Sequence, residues 1–85
     1  MSWYAYMLIC ADQTCYTGIT TNPLRRCKAH NEGKGARYTR ARRPVHLAWL
    51  EECADRSAAA KREYEIKQLS RTGKLELARG RMQRD

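Results

Sequence analysis

No two cysteines of this 85-residue chain form a Cys-x2-Cys pair; Cys10, Cys15, Cys27 and Cys53 have the wrong spacing for a zinc ribbon or knuckle. The opening Met1-Ser2-Trp3-Tyr4 lacks the basic stretch and apolar core of a secretory leader, so none is expected. The four thiols therefore read as small groups of a reducing compartment rather than as a disulfide framework, although Cys10 and Cys15 could face each other across a hairpin. No apolar run approaches the roughly 18 residues of a membrane-spanning helix. The basic residues do not sit on a helix with a bulky apolar face, which sets a membrane surface aside as partner. The expected location is the cytoplasm. Repeats and interdomain linkers are also missing, and a chain this short has room for one small core. The expected organisation is one domain over residues 1–79 and a frayed tail over residues 80–85.

Acidic residues are scarce where basic ones are dense. Between Arg25 and Arg43 stand eight basic side chains (Arg25, Arg26, Lys28, Lys34, Arg37, Arg40, Arg42 and Arg43) and the single acid Glu32, so this stretch carries +7 of the chain's +8. With a pI near 9.7, that excess points to a nucleic-acid partner. Nothing resembles a recognition helix or a zinc finger, so binding by charge to phosphates is expected: salt-dependent and largely indifferent to base sequence.

Trp3 to Cys10 is an almost unbroken apolar run and reads as a strand buried on both faces. Ala11-Asp12-Gln13-Thr14 supplies turn chemistry, and Cys15 to Thr20 reads as the returning strand of a hairpin. Asn22-Pro23 is a helix start, a capping residue followed by proline in the first turn; that helix is expected to end near Glu32 and Gly33. Residues 33–44 read as a mobile basic loop. A third strand is expected over residues 45–53, with Leu47, Trp49 and Glu51 on one face. Asp55 or Ser57 caps a second long helix to about Ser70, Gly73 breaks it, and a short last helix spans about 74–79.

Alternation places Tyr4, Tyr6 and Leu8 on one face of the first strand, and Tyr16, Gly18 and Thr20 on one face of the second. Tyr6 and Tyr16 can then meet, with Gly18 leaving a gap beside them. Arg26 and His30, at i and i+4, share a helix face aimed back over the sheet. Glu63 lies between Ala59 and Ile66 on the stripe that should face the sheet. A carboxylate there needs a cation or a metal, unless its head reaches water or pairs with Arg62 or Lys67. Glu65 points the other way, and His46 reads as an exposed strand residue.

Taken together, Tyr4-Ala5-Tyr6, Tyr16-Thr17-Gly18, Arg26-x3-His30 and Glu63 resemble the GIY-YIG nuclease superfamily, and in particular its small single-domain UPF0213 subfamily. The segment from His30 to Thr39 is also similar to the nuclease subunit of the Slx1–Slx4 enzyme. The resemblance covers roughly residues 3–75. It implies an α+β fold, a three-stranded antiparallel sheet flanked by helices. It matches Tyr6, Tyr16, Arg26, His30 and Glu63 to the family's active-site residues, with one Mg2+ or Mn2+ ion held by Glu63 and otherwise by water and phosphate. The implied reaction is hydrolysis of a phosphodiester. In it Tyr6 acts as general base and Tyr16 supports it, although the reverse stays open. Arg26 steadies the phosphate charge, and His30 orients a tyrosine or shuttles its proton. Many members carry a late asparagine, whereas this chain's two are Asn22 and Asn31; Gln68 and Lys67 are the candidates for that part.

The leading expectation is a metal-dependent endonuclease on DNA, with structure-specific or repair-related substrates in view and RNA as the second candidate polyanion. Lys34, Arg37, Arg40, Arg42 and Arg43 are the expected phosphate-gripping residues. Two alternatives stay open: a nucleic-acid-binding module with little activity, or a nuclease subunit that depends on a protein partner to choose its substrate. A monomer or weak dimer is expected.

Overall fold

The computed structural model describes residues 2–80. Its centre is a three-stranded antiparallel sheet in the order β2-β1-β3, formed by β1 (Trp3–Ile9), β2 (Cys15–Thr20) and β3 (His46–Cys53). Because β1 lies in the middle, both of its faces need cover, and its unbroken apolar sequence supplies it. On one face Ala5 and Met7 pack with Trp49, Ile66 and Leu77; on the other, Tyr6 and Leu8 pack with Cys10 and Val45. Helices α3 (Arg56–Lys67) and α4 (Arg71–Ala78) provide Ile66 and Leu77 to the first cluster. Helix α1 (Pro23–Asn31) provides Cys27 to the second, and the short α2 (Arg37–Arg40) follows α1. This is the α+β architecture that the sequence implies.

The caps are legible residue by residue. Asn22 Oδ1 accepts the Arg25 amide at 3.2 Å, with Pro23 at the first helical position. Asp55 Oδ1 accepts the Ala58 amide at 2.8 Å, and Ser70 Oγ accepts the Gly73 amide at 3.0 Å. Gly33, at φ +79°, lies just beyond the end of α1 in the left-handed region that glycine tolerates. Asn31, the chain's other asparagine, ties α1 to the start of β3. Its Nδ2 donates to Val45 O at 2.8 Å, and its Oδ1 accepts the Val45 amide at 2.7 Å.

Three expectations need correction. Leu47 and Trp49 do not share a face, because the β1–β3 register shifts between Met7 and Leu8: Met7 pairs with Trp49 but Leu8 pairs with Leu47. The irregularity falls at Ala48 and sends Leu47 to the Tyr6 side while Trp49 packs under α3. Residues 33–44 are not simply a loop: α2 forms within them, and Thr39 is fully buried. Gly73 does not break a helix. The break comes earlier, at Gln68, because Ser70 caps a new helix that contains Gly73 in its first turn. Of the expected tail, residues 81–85 lie outside the described residues.

Candidate active site

The site begins with a register. Tyr6 of β1 stands opposite Gly18 of β2, and Leu8 opposite Tyr16, so both phenols lie on the α1 side of the sheet. The two rings lie diagonally, with centroids 6.4 Å apart. Gly18 is required by the ring it faces. A Cβ there would stand 2.6 Å from the Tyr6 hydroxyl oxygen and 2.8 Å from Cζ. The gap expected beside Gly18 is therefore filled by the phenol of Tyr6, which is 1% exposed.

His30 closes over the same pair from α1. It is fully buried, its Nε2 lies 2.9 Å from Tyr6 Oη, and its ring centroid is 5.1 Å from that of Tyr16. On its far side Nδ1 lies 2.7 Å from Thr39 Oγ1, and Thr39 Oγ1 donates to Ala36 O at 3.0 Å. Gly35 lets the backbone pass against the imidazole, since a Cβ there would meet Nδ1 at 2.2 Å. Tyr38 stacks on Tyr16 at 6.1 Å with 26° between planes.

Burial and charge set the protonation states. Tyr6 is pushed up to about 12, mainly by burial. Arg26 opposes that shift through hydrogen bonding and charge, while Tyr16 and Glu63 add to it. His30 is held below its ordinary value, first by burial and then by the Arg26 charge. Both groups are therefore neutral near pH 7. His30 is hydrogen-bonded to the Tyr6 phenol and the Tyr16 ring packs beside it, while the charges of Arg26 and Glu63 act on its proton. Arg26 is half-buried and lines a depression of about 280 Å³ with Thr20, Thr21, Asn22, Arg25 and Ala29.

Glu63 holds the inward position expected for it on α3, with 24% of its side chain exposed, and pairs with Lys67 Nζ at 2.9 Å. Glu65 lies on the wetter side and meets Arg62 at 3.3 Å. Among the described residues no three His, Cys, Asp or Glu side chains gather as a ready-made cage. One partly buried carboxylate fits a hard cation such as magnesium, which keeps several waters and takes only one or two carboxylates. Lys67 also lines a groove of about 340 Å³ with Cys15, Tyr16, Thr17, Tyr38 and Lys74, so this groove runs from Tyr16 toward α4. Of the two stand-ins for a late amide, Lys67 faces the site, whereas Gln68 is exposed at the α3 C-cap.

The five expected phosphate-gripping residues divide. Lys34 is exposed in the α1–α2 connection, and Arg37 and Arg40 are exposed at the two ends of α2. Arg42 is drawn into structure: its Nε meets Asp12 Oδ2 at 2.9 Å, its Nη1 donates to Tyr38 O at 2.8 Å, and its guanidinium lies 3.9 Å over the Tyr38 ring. Arg43 donates to Arg40 O at 2.8 Å and bridges to Asn31 O at 3.4 Å, bracing the connection while keeping its charge. Sequence reasoning missed Thr39, Gly35 and Tyr38 as parts of the site, and Lys74 as a groove cation. Gly35 alone carried a signal, because a backbone that must pass close to a ring needs a residue without a Cβ; Thr39 and Tyr38 carried none.

Comparison with known proteins places the chain in a family and confirms the fold. Residues 2–76 match the family model described as the GIY-YIG catalytic domain. A UPF0213 protein of Desulfotalea psychrophila is 60% identical over 79 residues, covering 92% of this chain and 72% of that protein. A UPF0213 protein of Staphylococcus haemolyticus is 50% identical, covering 87% of this chain and 90% of its own length. Among solved structures, the solution structure of a UPF0213 protein from Bacillus halodurans is 44% identical with a TM-score of 0.59, covering 93% of this chain and 84% of that one. A second solution structure, from E. faecalis, is 38% identical with a TM-score of 0.62 over the whole of this chain and 92% of its own. None of these names specifies an activity.

Proposed function

We propose that this chain, which belongs to the GIY-YIG catalytic-domain family, is a divalent-metal-dependent endonuclease that hydrolyses phosphodiester bonds in DNA. The observation that carries the reading is the buried Tyr6–His30 hydrogen bond of 2.9 Å, with Tyr16, Arg26 and Glu63 acting on the same phenol. A family resemblance could survive in a module that only binds; a buried, neutral phenol–imidazole pair beside a guanidinium and a carboxylate is what proton transfer next to a phosphate requires.

Each residue has a task. Tyr6 is the general base. Held neutral by burial, it can take a proton from water only while giving up its own, and the acceptor within reach is His30 Nε2. Tyr16 packs against both rings and keeps water away from that transfer. Arg26 supplies planar donors and a permanent charge to the phosphate as negative charge gathers on it. Glu63 would hold the magnesium or manganese ion, which when bound supplies Lewis-acid polarisation of the scissile phosphate. The exposed Lys34, Arg37 and Arg40 would grip the polyanion on one side and Lys74 on the other, by charge rather than by base reading.

The test is cleavage of end-labelled flap, fork, four-way-junction and plain duplex DNA, with magnesium, manganese or chelator, by the wild type and Glu63→Gln. Metal-dependent nicking that disappears in the variant while affinity persists is the expected result. Equal binding by both proteins with no cutting in any metal would defeat the stand-alone enzyme and favour the binding module or the partner-dependent subunit.

A further inference from the structure

Thr39 has no task in that scheme, yet it is fully buried and its hydroxyl touches the histidine on the side opposite Tyr6. A hydroxyl carries one proton and two lone pairs. The carbonyl of Ala36 can only accept. It takes the Arg40 amide at 3.2 Å on one lone pair and the Thr39 proton at 3.0 Å on the other. That leaves Thr39 Oγ1 as an acceptor for His30 Nδ1, 2.7 Å away. The other end of the ring makes the same demand. The Tyr6 phenol is 1% exposed, and its proton has His30 Nε2 as acceptor at 2.9 Å, whereas the neighbouring Arg26 can only donate. One contact opposes: the Ala36 amide lies 3.4 Å from Nδ1 and would favour a bare nitrogen there. At 3.4 Å it is much the weaker claim.

We propose that Thr39 is a positioning residue that fixes His30 as the Nδ1–H tautomer, leaving Nε2 bare to accept the proton of Tyr6. The inference rests on the nuclease reading only for its consequence, which is a direction of proton flow. An O–H bond of the attacking water breaks and its proton goes to Tyr6 Oη, while the proton of Tyr6 passes to His30 Nε2. The water oxygen forms its bond to phosphorus as the bond to the leaving oxygen breaks. The imidazolium so formed then releases its proton, through Tyr6 or to solvent, and the leaving oxygen is protonated. With the opposite tautomer Nε2 would already hold a proton, and Tyr6 would have nowhere to send its own. Thr39 does for the imidazole what a buried carboxylate or carbonyl does elsewhere, without adding charge.

The chain has two histidines, so the ring nitrogens can be read directly by long-range 1H–15N correlation of the whole protein above the histidine titration range; His46→Gln removes the exposed one and assigns the other. The wild type is expected to show His30 with a protonated Nδ1 and a bare Nε2. In Thr39→Val the Ala36 amide becomes the remaining partner of Nδ1, and the pattern should reverse or average. Thr39→Ser should restore it. A wild-type spectrum with protonated Nε2, or a folded Thr39→Val with Nδ1–H fully retained, would overturn the proposal. If Thr39→Val does not fold, the wild-type and Thr39→Ser spectra still decide. In the cleavage assay Thr39→Val should lose about 10- to 100-fold in kcat with KM unchanged, and Thr39→Ser should recover it. Absence of cleavage by the wild type would count against the nuclease reading alone, because the tautomer is settled by the spectra.

Discussion

Replacing Gly18 by alanine sets two effects of opposite sign against each other. Gly18 does not occupy the left-handed region, so alanine suits its backbone. By the usual loss of unfolded-state freedom such a change stabilises a protein by about 0.4–1 kcal/mol. The new Cβ, however, would stand 2.6 Å from Tyr6 Oη, 2.8 Å from Cζ and 3.0 Å from Cε1, where ordinary contact begins at 3.4 Å. The ring must retreat by most of an ångström, yet it is 1% exposed and its hydroxyl is tied to His30 at 2.9 Å. Overpacking of this kind costs about 1–3 kcal/mol, and loosening the Tyr6–His30 bond about 1 kcal/mol more. The clash wins, and Gly18→Ala should be destabilised by about 1–3 kcal/mol, a fall of roughly 5–15 °C in Tm for a domain of this size. Urea unfolding with an unchanged slope, together with a thermal scan, measures it. A double-mutant cycle sharpens the sign: in a Tyr6→Leu background, with the ring gone, adding Gly18→Ala should cost nothing or stabilise. A single variant as stable as the wild type would refute the close approach of Tyr6 to β2.

Gly35→Ala should cost more, about 3 kcal/mol, because its Cβ would meet His30 Nδ1 at 2.2 Å; the same unfolding assay reads it, and a neutral result would displace His30 from the α1–α2 turn. The lowered His30 value makes stability depend on pH. The unfolded chain takes up the proton first, so this contribution is complete above the ordinary 6.5 and is lost as pH falls below it toward the folded value. The urea midpoint should therefore drop between about pH 7.5 and 5.5, and the drop should flatten in His30→Gln but persist in His46→Gln. Arg42→Ala removes an exposed ion pair, a carbonyl bond and a ring contact and should cost about 1 kcal/mol in stability, whereas Lys34→Ala should cost nothing measurable. For binding the ranking should reverse in character: glutamate at Lys34, Arg37 or Arg40 should weaken DNA affinity for every sequence alike, and each lost phosphate contact should lower the salt slope by about 0.9. Affinity that depends on sequence but not on salt would refute that surface.

Much of the fold was legible because local chemistry and pattern agree. Cys15 to Thr20 forms the second strand as read, and Asn22-Pro23 starts α1 where a cap and a proline require it. Tyr6, Tyr16 and Gly18 could be placed on one face because strand alternation holds across an unbroken hairpin. It failed on β3, where a register shift moves Leu47 to the other side of the sheet, and nothing in the alternation of residues 45–53 marks that shift. The α1–α2 connection was illegible for a different reason. Four residues of helix carry no periodicity, and Arg37, Tyr38 and Arg40 look solvated, so the buried Thr39 among them gave no signal. Its burial is decided by His30, nine residues away in sequence. Gly73 misled because glycine ends helices more often than it enters them, yet Ser70 supplies a cap strong enough to begin one around it.

On the α1 side of the sheet the site and the core are the same residues. Tyr6 and Leu8 form the buried cluster with Cys10 and Val45, while Tyr16 and Cys27 pack at its edge; His30 is as buried as any of them. The opposite face, with Met7, Trp49, Ile66 and Leu77, holds the sheet on α3 and α4 and takes no part in the polar network. A polar cluster can stand in for a core only when every member is satisfied. Here the chain Tyr6–His30–Thr39–Ala36 leaves neither ring nitrogen nor either hydroxyl without a partner. Removing one hydroxyl therefore strands its neighbour at a cost of about 1–3 kcal/mol, so Tyr6→Phe and Thr39→Val will both lose stability whatever they do to chemistry. Glu63 differs. Its carboxylate is partly exposed and its partner Lys67 is half in water, so its removal leaves the buried chain intact. That asymmetry makes Glu63 the residue whose loss can separate chemistry from folding, and the histidine spectrum the observable that can do so for Tyr6 and Thr39.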